Sequence, residues 1–156
     1  TIMKRLCLLL AIVSATVVWA DDWMAQLPDY ALVARVSIPG THDSATGNGW
    51  APESAILAAF STTQAVPNEE QLAAGVRAFD LRPAVVEGTD GNYLHANHGA
   101  ARTKLTFNEC LDLLCAFLKD HPTEFLVVHM LGAQDADRAN TNGWGELLKA
   151  TCTSDT

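Results

Sequence analysis

The feature that most restricts the possible folds is the stretch of residues 125–131, which is apolar at every position except His129. A strand that is apolar without alternation is typical of a parallel sheet, whose two faces are both covered by helices. The stretch follows a helix signal at residues 106–118, where Thr106 and Glu109 have the spacing of a capping box and apolar residues recur at helical intervals. The sequence therefore predicts a helix followed by a strand that is buried on both faces.

The same alternation of helix and strand extends back along the chain. Further strands are predicted at residues 32–38, 76–83 and 93–96, and further helices at residues 53–60, 68–75 and 144–150. Strands that alternate with helices over short connections indicate an α/β fold with parallel strands. Four strands are about half of a closed barrel, and an open half would expose its edges. We therefore expect the first half of a distorted (β/α) TIM-type barrel, in a sequence that continues beyond Thr156.

The first twenty residues differ in character from the rest of the chain. Lys4 and Arg5 precede an apolar run that ends at Trp19, and Ala20 stands before an acidic pair. This order is typical of a secretory signal peptide, and the run is shorter than the ~20 apolar residues that span a bilayer. We expect cleavage after Ala20, secretion to the extracellular space or periplasm, and no transmembrane segment in the mature chain.

The charge of the chain argues against binding to nucleic acid. Its 156 residues have a formal net charge of -8, and no basic run interleaved with aromatic residues is present. Such a run would be expected along a nucleic-acid backbone. No pair of cysteines has the spacing of zinc ligands either. The sequence therefore predicts neither a nucleic-acid partner nor a structural metal.

A tight Pro-Gly turn precedes the first pair of candidate site residues. Pro39 disfavours helix at Ile38, so regular strand pairing is expected to stop there. Gly40 tolerates unusual backbone angles and lets the chain turn sharply before His42 and Asp43. Taken alone, such a turn is more often a surface feature than a site, so His42 and Asp43 are candidates whose role depends on what the other strand ends carry.

Two other predicted strands carry polar residues at their ends. Alternation places Asp80 and Arg82 on one face of the second strand, and His98 follows the third. Because the carboxyl ends of parallel strands share one edge of a sheet, these residues are expected to meet His42 and Asp43. Such a set suits phosphoryl transfer without a metal: one imidazole takes a proton, another gives one, and the guanidinium neutralises phosphoryl oxygens.

Two simpler interpretations remain open for single residues. Without further information, Asp80 and Arg82 could form a structural ion pair inside the sheet. His129 shares a strand face with Val127 and Leu131, which would place it inside the barrel near the site. A hydrogen-bonded core histidine is favoured over a catalytic one at this position. His95 and His98 lie three positions apart on a strand, which points them to opposite faces and disfavours a metal pair.

Three motifs, in this order, resemble the bacterial phosphatidylinositol-specific phospholipases C in their catalytic X-box region. They are residues 37–44 (SIPGTHDS), residues 75–82 (GVRAFDLR) and the pair His98-Gly99. The resemblance extends over residues 22–131. It implies that residues 21–156 are the N-terminal part of such a domain, following a signal peptide at residues 1–20.

The resemblance also implies a role for each candidate residue. His42 would be the general base that activates the inositol 2-hydroxyl, and His98 the general acid that protonates the departing diacylglycerol oxygen. Asp43 would support His98, Arg82 would bind the phosphate, and Asp80 would orient the arginine or the inositol. The expected substrate is phosphatidylinositol or a related phospholipid at a membrane surface, and the products are diacylglycerol and inositol 1,2-cyclic phosphate.

The comparison implies no metal and no other cofactor. The calcium-dependent eukaryotic relatives use carboxylates and an asparagine around the site, whereas Asp43 and Arg82 stand at the matching positions here. The guanidinium would then take the electrostatic role of the cation. The chain departs from the bacterial pattern at Leu131-Gly132, where those relatives often have a substrate-binding lysine. The resemblance implies that the partner of the general base belongs to a second half of the domain, which we expect beyond Thr156.

Other functions fit parts of the same pattern. The chain could act on another glycerophosphodiester, in which case a set of metal-binding carboxylates would be expected. It could also be an inactive fragment or a module that binds a phosphate head group. Activity that a chelator abolishes would favour the metal-dependent phosphodiesterase over the phospholipase. Absence of turnover would favour the inactive fragment or the binding module.

Overall fold

The computed structural model describes residues 22–153, which form two three-stranded sheets joined at a single residue. The parallel sheet has the order β1 (Gly40–Thr41), β2 (Ala78–Leu81) and β6 (Val127–Met130). The antiparallel sheet has the order β3 (Pro83–Gly88), β4 (Gly91–His98) and β5 (Ala101–Thr106). Only Arg82 separates β2 from β3, so it lies where the two sheets meet. The predicted signal peptide lies outside the described residues.

In the described part of the chain, five α-helices accompany the sheets: α1 (Ala55–Ser61), α2 (Asn68–Ala73), α3 (Phe107–Asp120), α4 (Asp135–Arg138) and α5 (Trp144–Thr153). They confirm the helices predicted at residues 53–60, 68–75, 106–118 and 144–150. Among residues 22–153, no helix combines the length and the hydrophobicity that crossing a bilayer requires.

Helix α3 begins with the capping box that the sequence predicts. The Glu109 amide donates to Thr106 Oγ1 at 3.2 Å, and the Thr106 amide donates to Glu109 Oε2 at 2.7 Å. These two bonds satisfy backbone groups that a helix start leaves unpaired. The apolar side of the helix then packs on both sheets, in a core of buried residues that comprises Ala45, Leu72, Phe79, Leu81, Leu94, Ala96, Phe107, Cys110 and Leu114.

Strand β2 has the two faces that its alternation predicts. Phe79 and Leu81 are buried in the core, whereas Ala78 and Asp80 are half-buried on the opposite face. That opposite face is the one that carries the candidate site residue Asp80.

The first strand is shorter than predicted and lies on the other side of the proline. Residues 32–38 form no strand; Val33–Arg35 is a turn of 3-10 helix, and pairing begins at Gly40. The Pro39 carbonyl accepts hydrogen bonds from the amides of Arg77 and Ala78, which starts the parallel sheet instead of ending it. Gly40 is required for close approach, because a Cβ there would lie 3.0 Å from Cβ of Ala78.

The last two predicted strands also differ from expectation. Within residues 22–153, strand β6 pairs only with β2, at the edge of the sheet, and Val127 is 41% exposed, so the expected burial on both faces is wrong. The segment predicted at 93–96 lies within β4, which belongs to the antiparallel sheet and not to the parallel one. Two tight turns, after Gly88 and after His98, fold β3, β4 and β5 into a meander.

Candidate active site

The turn after β1 is fixed by a buried serine. Ser44 Oγ donates to the Thr41 carbonyl at 3.0 Å and accepts from the Asp80 amide at 2.9 Å, which attaches the turn to β2. Within the turn, Asp43 has a left-handed backbone with φ 45°, a conformation that aspartate tolerates better than most residues. The turn therefore places His42 and Asp43 beside the end of β2.

Asp80 and Arg82 form a bidentate ion pair on one face of the strand. Nε of Arg82 donates to Oδ1 of Asp80 at 2.9 Å, and Nη2 donates to Oδ2 at 2.7 Å. Nε of Arg82 also lies 3.2 Å from Oδ1 of Asp43. Among residues 22–153, no acceptor is hydrogen-bonded to Nη1 of Arg82, so this nitrogen can donate to a ligand.

His42 stands between the two carboxylates. Its Nδ1 lies 2.9 Å from Oδ2 of Asp80, and its Nε2 lies 3.2 Å from Oδ2 of Asp43. The backbone carbonyl of His42 accepts from Thr63 and Gln64, which follow helix α1. The side chain is nevertheless 64% exposed, so a ligand can reach its imidazole.

His98 reaches the site by way of the antiparallel meander. The Asn97 amide donates to the Arg82 carbonyl at 2.9 Å, which places the end of β4 beside the junction of the sheets. Nδ1 of His98 then lies 3.1 Å from Oδ2 of Asp43, without the alignment of a hydrogen bond. Gly99, with φ 55°, turns the chain away immediately afterwards. The sequence predicts that these residues meet, but it places His98 at the end of a strand of the parallel sheet. In the structure His98 ends β4, a strand of the antiparallel sheet.

A third histidine belongs to the cluster. His129 pairs in register with Asp80 across β2 and β6, and its Nδ1 lies 3.0 Å from Oδ1 of Asp80. The side chain is 66% exposed, so the prediction of a core histidine is wrong. A lone histidine in an apolar run gives no sign of this contact, since only the strand register brings it opposite Asp80.

The electrostatics of the cluster centre on Asp80. Partial burial acts to raise the pKa of its carboxyl, but hydrogen bonds from Arg82, His129 and the Asp43 amide outweigh burial and hold this pKa well below its usual range. The hydrogen bond to Asp80, with the charges of both carboxylates, raises the pKa of Arg82 against the opposing effect of burial. Asp80 is thus an anion, and Arg82 a cation, at neutral pH.

The same side chains include three possible ligands for a cation. One ligand atom from each of His42, Asp43 and Asp80 lies within 4.8 Å of the other two. A nitrogen and two carboxylate oxygens would suit a divalent ion. Arg82, however, is already in contact with both carboxylates and supplies a positive charge at this place. A divalent ion would therefore meet electrostatic repulsion from the guanidinium.

Two other histidines lie outside this cluster. His95 is buried, and its Nδ1 contacts the Ala96 carbonyl at 3.1 Å. His121 pairs with Asp22 at 3.0 Å and stacks on Phe117. Both therefore have structural partners away from the cluster.

Comparison with known proteins gives related enzymes and a matching fold. The 1-phosphatidylinositol phosphodiesterase of Listeria monocytogenes is 29% identical over 123 residues, which are 77% of this chain and 35% of that protein. The human PI-PLC X domain-containing protein 3 is 31% identical over 140 residues, with 72% of this chain and 43% of that protein covered. No family model matches the sequence.

Solved structures show the same relationship. A phosphatidylinositol-specific phospholipase C of Staphylococcus aureus superposes with a TM-score of 0.70 and 25% identity, covering 85% of this chain and 42% of that one. The predicted fold class, part of a distorted TIM-type barrel, is confirmed by this likeness, and residues 22–153 form no closed barrel. The chain thus spans about two fifths of the length of these relatives. Over that part of their length, the chain is similar in sequence and in fold to the bacterial phosphatidylinositol-specific phospholipases C.

Proposed function

We propose that this chain carries the acid-base residues of a secreted enzyme that cleaves phosphatidylinositol to diacylglycerol and inositol 1,2-cyclic phosphate. The observation that supports it most strongly is the meeting of two accessible histidines, His42 and His98, around Asp43, with Arg82 in contact with the same carboxylate. The names of the relatives support a phosphodiesterase of this substrate class.

The proposed reaction is an internal displacement at phosphorus. The inositol 2-hydroxyl attacks the phosphorus atom while its proton passes to Nε2 of His42, and the bond from phosphorus to the diacylglycerol oxygen breaks as His98 gives that oxygen a proton. Nε2 of His42 lies 3.2 Å from Oδ2 of Asp43 without forming a hydrogen bond to it, so this nitrogen is available to accept the proton of the hydroxyl. Each proton transfer contributes about 10²- to 10⁴-fold in rate.

We propose that the reaction needs no metal ion. Arg82 supplies the charge that stabilises the developing negative charge on the phosphoryl oxygens, and Asp80 holds the guanidinium by two hydrogen bonds. A fixed guanidinium is effective because a planar fork of donors matches the geometry of phosphate oxygens. The other phosphodiesterase considered above would instead require an ion on the carboxylates.

The proposed substrate lies in a membrane surface, and the structure offers a means to approach it. Helix α1 exposes Ile56 and Phe60, which are 86% and 89% accessible. The residues that directly follow this helix contact the backbone of His42, so the apolar side chains stand close to the site. We propose that α1 enters the lipid surface while the site faces the head groups, after secretion and removal of residues 1–20.

The decisive experiment measures release of diacylglycerol from vesicles of phosphatidylinositol by the purified full-length protein, with a chelator present. We expect release in chelator, with inositol 1,2-cyclic phosphate detected by phosphorus NMR. His42→Ala and His98→Ala should each lower the rate at least 10²-fold. His121→Ala is the matched control, because it removes an imidazole that pairs with Asp22 outside the site.

Three results would contradict the proposal. Full activity in either site variant would refute the role of that histidine, and activity only with added calcium would refute metal independence. A protein that binds inositol phosphate with no turnover would favour the second candidate, a head-group binding module. That candidate is consistent with the same contacts of Arg82, because phosphate binding needs the guanidinium but not the two proton transfers.

A further inference from the structure

His129 has no role in the proposed reaction, yet Asp80 holds it at one side of the site. Strand register pairs Asp80 of β2 with His129 of β6, and His42, which directly follows β1, contacts Asp80 from the other side. Side chains in register on parallel strands project from the same face of the sheet. The three residues therefore form a row on the open face, with the carboxylate in the middle.

The carboxylate fixes the orientation of both imidazoles. Oδ2 of Asp80 is the partner of Nδ1 of His42, and Oδ1 is the partner of Nδ1 of His129. An ionised carboxylate only accepts hydrogen bonds, so each Nδ1 carries the proton and each neutral ring presents Nε2 as an acceptor. Nε2 of His42 lies beside Asp43, whereas Nε2 of His129 has no hydrogen-bond partner among residues 22–153.

The row borders an open cavity of about 380 Å³, which has the size of a small-ligand site. Small and apolar residues line it on one side, and the polar row lines it on the other; the lining includes Gly40, Ala78, Val127, His42, Asp80 and His129. The cavity therefore combines room for a ring with an ordered set of polar atoms. An exposed side chain normally keeps its rotamer freedom, which the contact with Asp80 removes in His129.

Resting on the function proposed above, we propose that His129 is a specificity-determining residue that binds the inositol head group. Its Nε2 accepts a hydrogen bond from a ring hydroxyl, and Asp80 holds the imidazole in position to do so. A hydroxyl suits this place better than a second phosphate, because Nε2 of the neutral ring is an acceptor and Asp43 and Asp80 are both nearby anions. Arg82 remains the partner of the single phosphodiester.

The test is the binding of myo-inositol to the full-length protein by titration calorimetry. His129→Asn keeps an amide donor near Oδ1 of Asp80 but has no acceptor at the position of Nε2, and His129→Gln places an amide oxygen near that position. Loss of one neutral hydrogen bond corresponds to about a 3- to 10-fold weaker affinity. We expect that loss for Asn, a smaller loss for Gln, and none for His121→Asn, with thermal unfolding recorded for each protein.

Two results would overturn the proposal: equal affinity of His129→Asn and the unmodified protein, or no binding of myo-inositol by the unmodified protein. Phosphatidylinositol cleavage is assayed on the same samples to separate this proposal from the one above. Cleavage with inositol binding that ignores His129 would reject only the role of His129. Inositol binding that depends on His129, without any cleavage, would reject only the proposed reaction.

Discussion

The contacts of Arg82 depend on the shape of the guanidinium as well as on its charge. Two of its nitrogens hold the two oxygens of Asp80 in parallel, a geometry that an ammonium cannot reproduce. We predict that Arg82→Lys lowers kcat/KM for phosphatidylinositol by about 10²- to 10³-fold, the loss typical of a single charge-stabilising donor. Vesicle assays under chelator would measure it.

The control for this variant is Arg102→Lys. Arg102 lies 3.6 Å from Glu53, at an exposed ion pair that makes little demand on geometry. A wild-type rate is expected there. If Arg82→Lys also kept the wild-type rate, phosphate would be bound through charge alone or through another residue.

The hydrogen bonds to Asp80 predict how stability depends on pH. The pKa of this carboxyl is lower in the folded chain than in the unfolded one, so below pH ~4 the unfolded state takes up the proton first. The stabilising contribution of Asp80 is therefore complete above the unfolded pKa and is lost as pH falls through the folded pKa. Urea unfolding between pH 6 and pH 2 should show a free energy of unfolding that decreases with acidification.

The variant Asp80→Asn isolates this effect. Asparagine cannot ionise, so the decrease between pH 5 and pH 2 should be smaller in the variant than in the unmodified protein. Identical pH profiles would show that other carboxylates account for the acid sensitivity. Glu109, whose pKa is lowered by its bonds to Thr106, is a second contributor and is unchanged in both proteins.

The sequence motifs predict most of the residues of the cluster but not all of them. His42, Asp43, Asp80, Arg82 and His98 all stand in recognisable motifs, and the structure brings the five together. His129 stands in no motif. Its neighbours are apolar, which indicates burial, and its contact depends on a strand register that no local pattern states.

Among the elements, helix α1 is the one whose apolar surface is least used inside the chain. Burial of a phenylalanine or isoleucine side chain is worth about 1.5–3 kcal/mol, so each exposed residue can add roughly tenfold or more to lipid binding. We predict that Ile56→Ser and Phe60→Ser each weaken sedimentation with phosphatidylinositol vesicles at least fivefold. Because both side chains are exposed, thermal unfolding should hardly change.

Tyr30→Ser provides the matched control. Tyr30 is 86% exposed, as is Ile56, but it belongs to the segment that packs beside Gly75, before β2 begins. The site lies at the other end of that strand. If Tyr30→Ser weakened vesicle binding equally, the binding would be non-specific hydrophobic adsorption, and α1 would have no specific role.

Elements were predictable where a local pattern governs them. The capping box at Thr106 and the alternation around Phe79 act within a few residues, and the helices and β2 follow the prediction. The sequence misplaces strand β1, because a proline normally ends strand pairing. Here the carbonyl of Pro39 accepts the first hydrogen bonds of the parallel sheet. The meander was missed although Gly88 and Gly91 bracket a two-residue turn between apolar runs, which is a hairpin signal.

For the molecule as a whole, one buried ion pair joins distant parts of the chain. Nε of Arg77 donates to Oε2 of Glu124 at 2.6 Å, with both side chains inaccessible, and Oε1 accepts from the Met24 amide at 2.8 Å. The Arg77 guanidinium also lies 4.5 Å from the centre of the Phe117 ring. The segment before β2, helix α3 and the segment before β6 therefore meet at this pair.

Removal of one partner should destabilise the fold strongly. Glu124→Ala leaves a buried guanidinium without its carboxylate, which typically costs about 3–5 kcal/mol. Urea unfolding would measure the loss, with Glu87→Ala as the control because Glu87 is an exposed residue of β3. A loss below about 1 kcal/mol would show that the pair does not hold the segments together.

The two sheets also differ in the distance along the chain that each must bridge. The meander joins near neighbours, such as Gly88 and Gly91, whereas the parallel sheet joins Gly40 to Ala78 and Ala78 to Val127. Closing a short loop costs less entropy and takes less time than closing a long one. The strand that carries His98 can thus form early. His42 and His129 reach Asp80 only when the distant segments have docked. The cluster is therefore completed among the last events of folding.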